Sequence, residues 1–271
     1  MSRSSRSISF LGLLILLAGS APAQTPKQQA WEILEAAAVN SKVEMRADNA
    51  RALALVTANT KVVTMLEQAL QDKDPSVRSA AATSLGVLKS KASVPKLLGA
   101  LKDPDGDVVM AAAKALAVMD QEKGYSVFYA LVTGERKSGE GLVGSEEKEM
   151  TEVLKNPSSL ANEAFAEGMG FVPYGGVAMG AYNAIRANDK KEALVKAAAV
   201  KTLATDPDPR TRKALVQATT DKEWIVRAAA YDALARRGDA TVVAEVVNGL
   251  IDSEDVVKLT AAAAIAQLSR K

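Results

Sequence analysis

Apolar positions along the chain recur at helical spacing, and the recurrence is itself repeated. Asp72–Leu85 reads DKDPSVRSAAATSL, with Val77 and Leu85 on one helical face and alanines between them. The same order returns 31 residues later in Asp103–Leu116, DPDGDVVMAAAKAL. Val195–Leu203, Val226–Leu234 and Val257–Ile265 repeat it at the same interval of 31, and a weaker copy, Met45–Leu53, lies 32 residues before the first. No stretch of this kind alternates as a strand does, and alanine is the best helix former.

Each period predicts two helices. Val62, Val63, Leu66 and Leu70 mark a short first helix. Asp74 then caps a second, with Pro75 at its first position, where a missing N–H costs nothing. Asp208-Pro209 repeats the arrangement, and Asp189 with Glu192 has the form of a capping box. The alanines let neighbouring helices approach closely, while Leu85, Leu116, Leu203, Leu234 and Ile265 fill one layer. A single helix pair cannot bury its apolar face, so the pairs must stack. The expected fold is all-α: an α-solenoid of antiparallel helix pairs in two blocks, 24–133 and 189–271, flanking an irregular helical insertion, 134–188.

Charge follows the same period. Asp72, Asp103, Asp221 and Asp252 stand five residues before each reference valine. Asp74, Asp105, Glu192, Glu223 and Glu254 stand three before it, and Arg78, Lys196, Arg227 and Lys258 one after, with Val109 the exception. Acids at helix starts complement the helix dipole, and an arginine one turn in can bridge to the adjacent unit. A ladder of caps and ion pairs through Asp72, Asp74, Arg78, Asp103, Asp105, Asp221, Arg227 and Asp252 is expected, interrupted at Val109. An acidic strip for a basic partner is the functional alternative.

The acid–Val–Arg/Lys–Ala-rich–Leu pattern resembles HEAT-like repeats of the short phycobilisome-lyase type, over Trp31–Asp120 and Asp189–Lys271. The resemblance implies a solenoid. It implies function only weakly, because such repeats serve scaffolds, adaptors and a few enzymes. Chromophore lyases of this type fit poorly with an exported chain. The related deoxyhypusine hydroxylases hold di-iron with His-Glu motifs, which a chain without histidine cannot supply.

The 271 residues include no histidine and no cysteine, which excludes Ser–His–Asp and Cys–His catalysis, His/Cys zinc sites, disulfides and Fe–S ligation. Arg3 and Arg6, the apolar run Ile8–Ala18 and Ala21-Pro22-Ala23 have the layout of a signal peptide over residues 1–23, cleaved after Ala23. Without it, basic and acidic residues balance, which argues against nucleic acid or anionic lipid as a partner. A periplasmic or secreted protein without a membrane span is the expectation.

The insertion holds the exposed loop 134–145 and the glycine-rich Gly168–Gly176, with Phe171, Pro173 and Tyr174 as candidate partner-binding residues. Packing as degenerate repeats is the alternative. Three chemical motifs are weak. Gly139-Glu-Gly141-Leu-Val-Gly144 lacks the βαβ setting that dinucleotide binding needs. Ser145–Lys148 and Ser93–Lys96 both fit S-x-x-K, without companion motifs. Asp103, Asp105 and Asp107 alternate as in a calcium loop, but Lys114 stands at the twelfth position. No catalytic residue, metal or cofactor is assigned. The expected function is a non-catalytic scaffold or adaptor for another protein or a cell-envelope component. The alternatives are a lyase-like or carboxylate-based hydrolase seated in the insertion, and a calcium-dependent envelope binding protein.

Overall fold

The computed structural model describes residues 24–119, 121, 124 and 191–270. The first block holds α1 (Pro26–Ala38), α2 (Val43–Leu53), α3 (Thr60–Ala69), α4 (Pro75–Val87), α5 (Val94–Ala100) and α6 (Gly106–Val118). The second holds α7 (Lys191–Thr202), α8 (Pro209–Ala218), α9 (Trp224–Arg237), α10 (Val243–Val246) and α11 (Asp255–Leu268). Among the described residues all regular structure is helical. The last outer helix is broken: 3₁₀ segments Ala240–Val242 and Val247–Ile251 flank the single turn of α10.

Helix starts follow the caps. The Asp74 carboxylate accepts from Ser76 N–H, Asp208 from Arg210 N–H, and Asp105 from Asp107 and Val108 N–H, at 2.8 to 3.2 Å. Thr25 and Gln28 close a capping box on α1. Glu223 and Glu254 occupy the same position on α9 and α11 without a side-chain cap bond. The proposed box at Asp189 lies outside the described residues. Asp105→Ala should lower stability by about 1 kcal/mol, read as a lower urea midpoint at unchanged slope.

The second helices, α2, α4, α6, α7, α9 and α11, pack side by side through their alanines. Ala80, Ala81 and Ala82, Ala111, Ala112 and Ala113, and Ala228, Ala229 and Ala230 are buried at these crossings. The approach of α4 to α6 leaves no room at Gly86, where an added Cβ would stand 2.8 Å from Ala115 Cα. Leu85, Leu116, Leu234 and Ile265 are wholly buried in one layer. Leu203 joins it only in part, because α7 ends at Thr202 and Leu203 begins a 3₁₀ turn.

The stacking order differs from the chain order. α11 packs on α1 and α2, so the spatial sequence is α7, α9, α11, α2, α4, α6, and one hydrophobic core runs through both blocks. The reason lies in α11 itself. Val257, Leu259 to Ala266 and Leu268 are all buried, which leaves it no polar outer face to end a solenoid. The first and last described helices, α1 and α11, therefore meet near the middle of the described stack.

Candidate functional site

The edge carrying the loops before each second helix is built around arginines. Arg78 donates from Nε and Nη2 to both carboxylate oxygens of Asp103 on the next rung, each at 2.7 Å. Its Nη1 donates to the carbonyls of Asp72 and Lys73 in its own loop. Arg227 repeats this on Asp252, at 2.8 Å twice, and on the carbonyls of Asp221 and Lys222. Arg46, which the repeat alignment leaves out, does the same with Asp72 and the carbonyls of Asn40 and Ser41. Each fork thus ties its own loop to the loop of the next rung, a task for which the planar guanidinium is suited and an ammonium is not.

The rung acids order their own loops as well. Asp72, Asp103, Asp221 and Asp252 accept from the N–H two residues on, at 2.9 to 3.0 Å. Val109 stands where the fourth fork belongs. It is wholly buried with Ala113 against Leu101, so at this rung an apolar contact stands in place of the fork. The calcium-loop geometry is already committed elsewhere: Arg78 occupies Asp103, and Asp105 caps α6. Likewise Ser93 is wholly buried with its hydroxyl on Glu67, to which Lys96 also pairs at 2.9 Å, so it is not placed as a nucleophile.

These carboxylates make stability depend on pH. The Arg46 fork holds Asp72 below the usual carboxylate range. Burial works against ionisation of Asp252, but Arg227 and the loop N–H outweigh it and hold it low too. A depressed carboxylate contributes stability that is present above its unfolded value, about 4, and lost as pH falls through the folded one. Thermal unfolding followed from pH 7 to 3 should show Tm dropping steeply below about pH 4, and Asp72→Asn should flatten that drop.

Sequence reading missed the buried charges on the helices. Asp232 is 2% exposed, pairs with Arg236 at 2.9 Å, and is pushed up by burial. Lys201, one rung away, is held down at about 8 by burial, against the pull of Asp232. Asp48 on α2 is buried beside Arg51 at 2.9 Å and is likewise raised by burial. At the places that match Asp48 the repeat has Ala80, Ala111, Ala198, Ala229 and Thr260, and at those that match Asp232 it has Arg51, Thr83, Lys114, Lys201 and Ala263, so each acid departs from its series, and that departure was the available signal.

Four large aliphatic side chains are exposed among the described residues: Val39, Val87, Val118 and Ile251. They form two couples in register. Val87 and Val118 end α4 and α6, 31 residues apart on adjacent rungs. Val39 and Ile251 each directly precede a rung position, Asn40 and Asp252, and follow or end the elements α1 and Val247–Ile251, which are in contact; Gln71, Lys102 and Thr220 fill the same place elsewhere. Phe171, Pro173 and Tyr174 lie outside the described residues, as do the two other motifs of the insertion.

HEAT repeats, by their family model, match residues 32–117, 63–136 and 183–266. The chain belongs to the HEAT-repeat family. Among solved structures it is similar to a chain of the complex of CpcE and CpcF of phycocyanin lyase from Nostoc, 18% identical, with 97% of this chain and 100% of that chain covered and a TM-score of 0.34. Two engineered proteins, each 17% identical, cover 89% and 92% of it, and 96% and 100% of their own chains, with TM-scores of 0.28 and 0.26. No curated protein matches the chain. HEAT repeats, as stacked helix pairs, generally mediate protein interactions across their extended surfaces. Among the described residues no helix is long and apolar enough to cross a membrane.

Proposed function

We propose that this HEAT-repeat protein is a non-catalytic scaffold that holds another protein, and that it works in the cell envelope. The observation that carries the binding role is the in-register couple Val87 and Val118, 39% and 54% exposed on a helix stack whose forks spend the edge charges internally. Exposed aliphatics aligned one rung apart suit the apolar face of a partner helix or loop. A balanced charge leaves apolar anchors rather than long-range attraction to supply affinity.

The envelope role rests on the N-terminal pattern: Arg3 and Arg6, the apolar run Ile8–Ala18, and Ala21 and Ala23 at the positions a signal peptidase reads. A photo-crosslinker at Val87 or Val118 in intact cells should give discrete protein adducts, while one at Lys73 on the fork edge should not. Adducts equally frequent at all three positions, or at none, would contradict the binding surface. N-terminal sequencing of the protein recovered from a Gram-negative host's periplasm should begin at Gln24; an uncut Met1 chain in the cytosol would contradict export.

A further inference from the structure

The junctions between rungs are not built alike. The Arg46–Asp72 fork ties α2 to α4, Arg78–Asp103 ties α4 to α6, and Arg227–Asp252 ties α9 to α11. At the α7–α9 junction, Arg237 Nη1 reaches back to the carbonyls of Leu203 and Asp206. Where α11 meets α2, both halves of the fork are replaced: Lys258 stands at the arginine position and Asn40 at the acid position. Lys258 pairs instead within its own helix, with Asp255 at 3.1 Å.

This seam is held by apolar contact of α1 on α11 and by two exposed hydrogen bonds between Thr57 and Gln267, at 2.8 and 3.2 Å. Like charges also meet there. Asp48 on α2 feels Asp255 from α11 and Glu44 from its own helix, with Arg51 as its partner. In the core of α2, Asn49 is 2% exposed and its Oδ1 has no hydrogen-bond partner. No short loop ties the two sides of this contact, because α1 and α2 open the described chain and α11 closes it.

We infer that the contact of α1 and α2 with α11 is the joint at which the stack opens, the two blocks parting as units while the forked junctions stay closed. Interfaces between units of one chain that are held by few and exposed polar ties are the ones along which relative motion occurs. Opening uncovers apolar surface of α1, whose buried side chains are Ala30, Leu34 and Ala37, and of α11.

The absence of native cysteine makes a direct test possible. Single cysteines at Ala30 or Ala37 report the seam, and single cysteines at Ala81 or Ala230 report the interior of a block. Under native conditions the seam thiols should react with a maleimide at least about tenfold faster than the interior ones, the ratio set by the difference in local opening free energy. Equal rates at all four positions would overturn the inference. A second measurement uses Val39→Cys/Ile251→Cys joined by a short bismaleimide, both sites being exposed. Hydrogen exchange in α1 and α11 should slow by at least about tenfold on joining, with α4 and α6 unchanged. Slowing spread evenly over all helices, or none in α1 and α11, would equally overturn it.

Discussion

Arg227→Leu should lower the unfolding free energy by about 3 kcal/mol, several times what a surface ion pair is worth. Arg227 and Asp252 are 14% and 12% exposed in their side chains, so neither is well solvated. Leucine fills the stem but leaves the Asp252 carboxylate with only the Glu254 N–H, and two loop carbonyls, of Asp221 and Lys222, without a donor. Removing one partner of a desolvated pair costs more than the pair contributes. Arg227→Lys should recover less than half, because an ammonium cannot span both carboxylate oxygens and the carbonyls at once. Urea unfolding at pH 7 measures both. A change for Arg227→Leu within about 0.5 kcal/mol of zero would mean the fork behaves as a solvated surface pair.

Gly249→Ala should cost about 2 to 3 kcal/mol although it adds a single methyl group. An added Cβ there would stand 2.2 Å from Tyr231 Oη, 2.3 Å from its Cζ and 2.6 Å from Ala261 Cβ. The Tyr231 ring has nowhere to go. It is 2% exposed and its hydroxyl donates to the Val246 carbonyl at 3.2 Å. The clash is at the 3₁₀ segment that replaces the end of the last outer helix, so the expected relief is displacement of Val247–Ile251 away from α9. Tyr231→Phe in the same chain should return part of the loss by removing the oxygen. Additive losses in the double variant would contradict the contact.

What the sequence made legible follows from local chemistry. The interval of 31 residues, the Asp-Pro helix starts and the alanine faces are set by residues close in the chain, and the helices form where those signals fall. The rung acids and arginines were visible too, since each recurs at a fixed offset. Arg46 escaped because its repeat begins with Met45 rather than valine, and because Asn40 breaks the acid series before it.

The stacking order was not legible from periodicity, which says that units stack but not on which neighbour. The one signal was compositional. Leu259–Ala266, LTAAAAIA, offers Thr260 as its single polar residue, too little for a helix that ends a solenoid in water. Buried Asp48 and Asp232 were hidden for the opposite reason. An acid on a helix reads as solvent-facing, and only the packing of a neighbouring rung shows it enclosed.

The docking of the last helix, α11, against the first two, α1 and α2, sets the order of the whole described stack. Spin labels on cysteines at Val39 and Ile251, 83% and 82% exposed, test it without disturbing the core. Neighbouring helices lie about 10 Å apart, so the predicted distance distribution is dominated by a peak below about 25 Å once label length is included. A dominant separation of about 50 Å or more, the span of five helix spacings, would place the two blocks in chain order and contradict the account.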